Sequence, residues 1–130
     1  MTMTRRTLIA SAAAILMMAS PAIAVTQTAF DDAVFDAARE AGGPILVHVT
    51  APWCGTCKAQ KPIVSDIMSR ADFSAFKVFE VDFDTQEDAR KELRVPQQST
   101  MIVFKDGREI GRSVGETDPA AIEELFRKAL

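Results

Sequence analysis

The chain has 130 residues, 48% hydrophobic and 25% charged, with 15 basic against 18 acidic side chains and a net charge of −3. That balance, with no basic run anywhere, excludes a nucleic-acid-binding surface, and two cysteines are too few for a disulfide-rich scaffold. The length suits one domain around one hydrophobic core.

Residues 1–24 read as a secretory signal peptide. Arg5 and Arg6 are the only charges before Asp31, an apolar run from Leu8 to Met18 follows, and Ala22 and Ala24 supply the small residues of a cleavage site. The run is far short of the roughly 20 residues that span a bilayer. Export by the general secretory route is expected, to the periplasm or outside the cell. The stretch "TRRTLI" also matches the paired arginines of the twin-arginine route. Without Arg5 and Arg6, 13 basic residues face 18 acidic ones over residues 25–130, which read as one domain.

Apolar residues at helical spacing, from Phe30 through Ala33, Val34, Ala37 and Ala38 to Ala41, predict a helix that Gly42-Gly43 ends. "PILVHV", residues 44–49, is nearly continuous and rich in β-branched residues, as in a strand buried on both faces. A helix is expected from Cys54 to about Arg70, with Ile63, Val64, Ile67 and Met68 on its buried face and Pro62 interrupting its hydrogen bonds. "KVFEVDF", residues 77–83, reads as a second strand. Asp84 and Glu87 then have the spacing of a capping box opening a helix to about Leu93. "TMIVF", a Lys-Asp-Gly turn and "REIGRSV" predict a hairpin, and Asp118 before Pro119 predicts a capped helix that buries Ile122, Leu125, Phe126 and Ala129. The order αβαβαββα implies an α/β fold, a central mixed sheet with helices on both faces.

The stretch "HVTAPWCGTCKAQKP" holds both cysteines, the only tryptophan and the only histidine. A disulfide between Cys54 and Cys57 closes so small a loop that it constrains the unfolded chain by under about 2 kcal/mol. It is a poor staple and a good switch. At a strand-to-helix boundary Cys54 meets the unpaired N–H groups and positive dipole end of the helix, which stabilise a thiolate. Cys57, one turn on, presents its sulfur to the same side. Cys54 can attack a client disulfide, and Cys57 can then resolve the mixed disulfide.

"WCGTCK", with Pro62 five residues after Cys57, resembles the active site of the thioredoxin family, whose usual form is W-C-G-P-C-K. "VDFD" at 81–84 resembles a family strand, and "FKDG" at 104–107 with Gly115 resembles its closing hairpin. The resemblance implies the thioredoxin fold and a dithiol/disulfide oxidoreductase that needs no cofactor beyond its own cysteines and no metal. It also implies Cys54 as exposed nucleophile, Cys57 as buried resolving thiol, and Trp53 in the docking surface.

Three residues depart from the family pattern. His48 stands where the family has a buried aspartate, six residues before Cys54; it is read either as the general base for Cys57 or as a packed core residue. Ser99 falls at the position of the family's cis-proline. The peptide before it is expected to be trans, Pro96 with an insertion being the alternative. At that position the Ser99 hydroxyl is expected near Cys54, and the Gln98 backbone is set to pair with an extended client. Thr56 replaces the proline between the cysteines.

The family's periplasmic oxidases carry a helical insertion and a histidine between the cysteines, neither of which occurs here. The resemblance therefore implies a monomeric reductase or isomerase of protein disulfides, recharged by a membrane-bound electron donor. The readings from other classes are a binding module without redox turnover and a dimeric metal or iron–sulfur protein.

Overall fold

The computed structural model describes residues 25–130, and the expected signal peptide lies outside them. A short strand β1 (Gln27–Ala29) leads to helix α1 (Asp32–Ala41), strand β2 (Pro44–Thr50) and helix α2 (Gly55–Met68). After a turn of 3-10 helix at Ala71–Phe73 come strand β3 (Lys77–Asp82), helix α3 (Glu87–Glu92), the hairpin of β4 (Thr100–Lys105) and β5 (Arg108–Val114), and helix α4 (Pro119–Arg127). The strands lie in the order β1-β3-β2-β4-β5, with β1, β3 and β2 mutually parallel and β4 and β5 antiparallel to their neighbours. This is the expected mixed sheet, with one strand more than the sequence suggested. The three residues of β1 are all exposed and lack any apolar alternation that would signal a strand.

Helix α1 forms where expected but buries a different face. Phe35 and Ala38 are its buried residues, whereas Val34 is half exposed. The alanines at 33, 37 and 41 suit any side of a helix, so one aromatic side chain sets the rotation. Asp31 caps the helix by accepting the Val34 N–H at 3.0 Å. Phe30 lies just outside the cap and packs on Phe35 with ring centroids 5.0 Å apart, which staples the entry of the chain.

Helix α3 starts later than the sequence indicated. Its N-cap is Gln86, without a side-chain cap bond, and Asp84 is no part of a capping box. The Asp82 carboxylate instead accepts the N–H groups of Asp84 and Thr85, at 2.9 and 3.0 Å, in a tight turn that competes with helix initiation. At the other end Arg94 takes the left-handed conformation, φ 55°, and the Val95 N–H returns to Arg90 O at 2.8 Å. Arg112 donates to the carbonyls of Leu93 and Arg94 and so caps this helix from β5. The hairpin turn has positive φ at Asp106 and Gly107, the conformation that an Asp-Gly pair favours.

Alternation along β2 divides the interior into two layers. Ile45, Val47 and Val49 face α1 and α3, with Phe30, Phe35, Phe79 and Phe104. Leu46 faces α2 and α4, among Val64, Ile67, Met101, Ile122 and Phe126. His48 follows Leu46 to that second side. Helix α4 packs close to the sheet over Gly111, where an added methyl group would come within 2.8 Å of Leu125 Cδ1. Among the described residues no helix is long and apolar enough to cross a membrane.

Candidate active site

Strand β2 ends at Thr50, and the chain turns through Ala51 to enter α2 with Cys54 as its N-cap. The cap acceptor is a sulfur: Cys54 Sγ takes the Cys57 N–H at 3.1 Å. One N–H of the first turn is thus aimed at this atom, as expected for a site at the positive end of a helix that favours a thiolate. Cys54 and Cys57 are joined as a disulfide with Cα atoms 5.3 Å apart.

Both cysteines are buried, Cys54 at 3% and Cys57 at 1% of full exposure. The expectation of an exposed Cys54 is thus corrected for this oxidised form, in which Ala51, Phe83 and the partner sulfur cover it. Trp53 beside it is 60% exposed. Its indole N–H donates to the Asp84 carboxylate at 2.8 Å, and its ring meets Phe83 edge-on at 6.4 Å. The tryptophan is therefore an anchored surface plate, which excludes simple core packing for this side chain.

His48 is fully buried. Burial holds its imidazole below the usual histidine range; the Gln60 hydrogen bond and the Glu80 carboxylate opposite it on β3 oppose that shift, and Lys61 adds to it. Nε2 lies 2.9 Å from Gln60 Oε1, and Nδ1 is buried without a partner. Gln60 is itself fully buried, one turn past Cys57 on the same helix face. Its amide nitrogen donates to Ser99 O at 3.2 Å and to Glu116 O at 2.9 Å. One side chain thus ties β2, α2, the segment before β4 and the segment before α4 together. Cys57 Sγ lies 4.0 Å from Val49 O, so α2 touches β2 at neighbouring residues through both its cysteine and its glutamine.

Ser99 is buried and left-handed at φ 57°, and no peptide bond among the described residues is cis. The expected trans bond before Ser99 is present, and Pro96 is not cis. The serine's carbonyl, not its hydroxyl, is its bonded group, accepting from Gln60 and from the Gly115 N–H at 2.9 Å. Among the described residues no hydrogen bond joins its hydroxyl to Cys54, which departs from the expected thiolate contact. Gln98 next to it is half-buried. Among the described residues no group of three or more His, Cys, Asp or Glu side chains is arranged to hold a metal. A concavity of about 400 Å³ at the N-terminal ends of α1 and α3, lined by Phe30, Asp31, Gln86 and Asp88 among others, includes neither cysteine.

The family model for thioredoxin matches residues 21–128. A thioredoxin of Mycolicibacterium smegmatis is 33% identical over 112 residues, 85% of this chain and 96% of that one. The chain belongs to the thioredoxin family. A crystal structure of a thioredoxin-like protein, Trxlp of Edwardsiella tarda, superposes with a TM-score of 0.76 at 39% identity, over 78% of this chain and 98% of that one. Thioredoxin of Trypanosoma brucei, at 23% identity and a TM-score of 0.70, shares the fold. Thioredoxins are thiol–disulfide oxidoreductases that act on protein disulfides, and the Cys54–Cys57 pair is that activity's redox couple here.

Gln60, Glu80, Phe83 and Asp84 were not foreseen as parts of the site. Gln60 alone left a signal, a polar residue at a position where Cys57, Val64, Ile67 and Met68 mark the buried face of a helix. Asp84 has the spacing of a capping box in the sequence, and its bond to Trp53 spans 31 residues that no local pattern connects.

Proposed function

We propose that this protein is an exported reductase of protein disulfides, working outside the cytoplasm as a monomer and recharged by a membrane-bound electron donor. The observation that carries the redox reading is Cys54 Sγ as N-cap of α2, where the Cys57 N–H already points at the atom that must bear negative charge. Export rests on the charged, apolar and small-residue order of residues 1–24, and it requires a source of electrons from the cytoplasm.

Cys54 thiolate attacks one sulfur of a client disulfide, and the electron pair of that bond leaves with the other sulfur. Cys57 then loses its proton and attacks Cys54, closing the pair and releasing the reduced client. His48 is the general base for this second step: its buried, neutral imidazole can accept a proton near pH 7. Trp53 gives the client a rigid apolar plate. The Gln98 backbone enters no turn or loop hydrogen bond of the described residues, which leaves it available to an extended client segment.

The reduction potential of the pair, measured against a glutathione series, tests direction. A value near −270 mV, as in thioredoxin, supports a reductant; one near −120 mV makes the protein an oxidant. Retention of full biological activity by Cys54→Ser would favour a binding module without turnover.

A further inference from the structure

The Gln60 amide has two hydrogens, and both are spent on backbone carbonyls, Ser99 O at 3.2 Å and Glu116 O at 2.9 Å. Its orientation is thereby fixed, and the atom 2.9 Å from His48 is its oxygen. An oxygen there only accepts, so the hydrogen of the neutral imidazole lies on Nε2. Nδ1 is then a bare lone pair, fully buried and without a partner. Leaving such an acceptor unsatisfied costs stability, and buried groups of this kind concentrate where a proton must be handled.

From this we infer that Gln60 is a positioning residue for resolution: it holds His48 as the Nε2–H tautomer, so that Nδ1 is the nitrogen that takes the Cys57 proton. The inference rests on the reading of His48 as base. In the step, the Cys57 S–H bond breaks and its proton goes to Nδ1. Cys57 sulfur bonds to Cys54, the bond from Cys54 to the client breaks with its electron pair on the client sulfur, and the imidazolium returns the proton to that sulfur. With the hydrogen on the other nitrogen the same histidine would present a donor where an acceptor is needed. The charged groups facing His48 are Glu80 of β3 and Lys61 of α2; from β4 its register partner is the apolar Met101, and the segment before α4 contributes only the Glu116 carbonyl to this network.

The protein has one histidine, so its imidazole nitrogens give one set of signals in a long-range ¹H–¹⁵N spectrum of histidine-labelled protein. The expected result for oxidised wild type at pH 7.5 is a protonated Nε2 and a bare Nδ1. A protonated Nδ1 overturns the inference, whatever any variant does. Kinetics separate tautomer control from a structural clamp. Gln60→Leu removes the acceptor and both donors, and is expected to slow single-turnover resolution on the order of 10-fold at pH 7.5. Gln60→Glu keeps an acceptor for Nε2 but loses the donors. It is expected to recover to within about threefold of wild type at pH 8.5, with its acid limb moved to higher pH because a carboxylate beside the imidazole favours the imidazolium. Equal losses in the two variants assign Gln60 to clamping alone and overturn the inference. If wild type fails to reduce any protein disulfide, the proposed function falls while the spectrum still reports the tautomer.

Discussion

The two faces of the sheet are built from different materials. Under α1 and α3 the interior is apolar, with Phe35 in contact with three other rings at centroid distances of 5.0 to 5.5 Å. Under α2 and α4 an apolar floor gives way, toward the cysteines, to fully buried His48 and Gln60, with Ser99 alongside. Both faces hold the sheet with apolar side chains, and the second adds a buried polar network on the strand and helix that lead to the reactive pair. The lesson is that a domain of this size can confine its buried polar network to one side of a single layer of strands.

Substitutions that move one property without the other break or sharpen this contrast. The largest expected effect is on chemistry: Cys54→Ser abolishes turnover in an insulin-reduction assay, while the reduced wild type and the variant unfold in denaturant at similar midpoints. Next comes Phe35→Ala, expected to cost about 3–5 kcal/mol of unfolding free energy by loss of a fully buried ring, with the reduction potential of the pair unchanged. A shift in potential here would show that the faces are coupled. His48→Ala is expected to slow resolution by Cys57 on the order of 100-fold and to remove the acid limb of its pH profile, which for an imidazole held below its ordinary value lies under pH 6.5. An unchanged profile would reduce the histidine to packing.

Acid offers a smaller, reagent-free probe of the polar face. The folded imidazole is held below its ordinary value of 6.5, chiefly by burial. Below pH 6.5 the unfolded chain therefore binds a proton that the folded chain refuses, and stability falls with decreasing pH by about 1 kcal/mol per pH unit until the folded pKa is reached. The lowered carboxyls of Asp82, Glu87 and Glu123 act only below their own ordinary values of 3.8 and 4.5. Denaturant midpoints at pH 7.5 and 5.5 measure the effect, and His48→Ala is expected to abolish it. The smallest effect belongs to the apolar face. Arg94→Gly relieves a left-handed arginine at the end of α3 and is expected to raise stability by roughly 0.5 kcal/mol, since part of the 1–2 kcal/mol of strain is offset by the freedom of glycine in the unfolded chain.

Much of this arrangement was legible in the sequence because it is local. The β2 run, the Asp-Gly turn, the Asp118 cap and the buried stripe of α4 each follow from a few adjacent residues. What failed was also physical. The buried face of α1 is not legible because alanine suits either side of a helix, and β1 leaves no signal because its pairing with β3 comes from the sheet and not from its own three residues. Asp84 has the spacing of a cap, but Asp82 two residues earlier takes the local N–H groups first. Cys54, Cys57 and Trp53 carried their chemistry in their order. Gln60 acquires its meaning only when residues 48, 99 and 116 arrive beside it from elsewhere in the chain.

Finally, the sheet ends in two unlike borders. β1 is only three residues long, and β5 carries Arg108, Glu109 and Arg112 along its outer course. Neither border invites another copy to continue the ladder, since one is too brief and the other charged. At high concentration the molecule is thereby protected from growing into fibrils edge to edge.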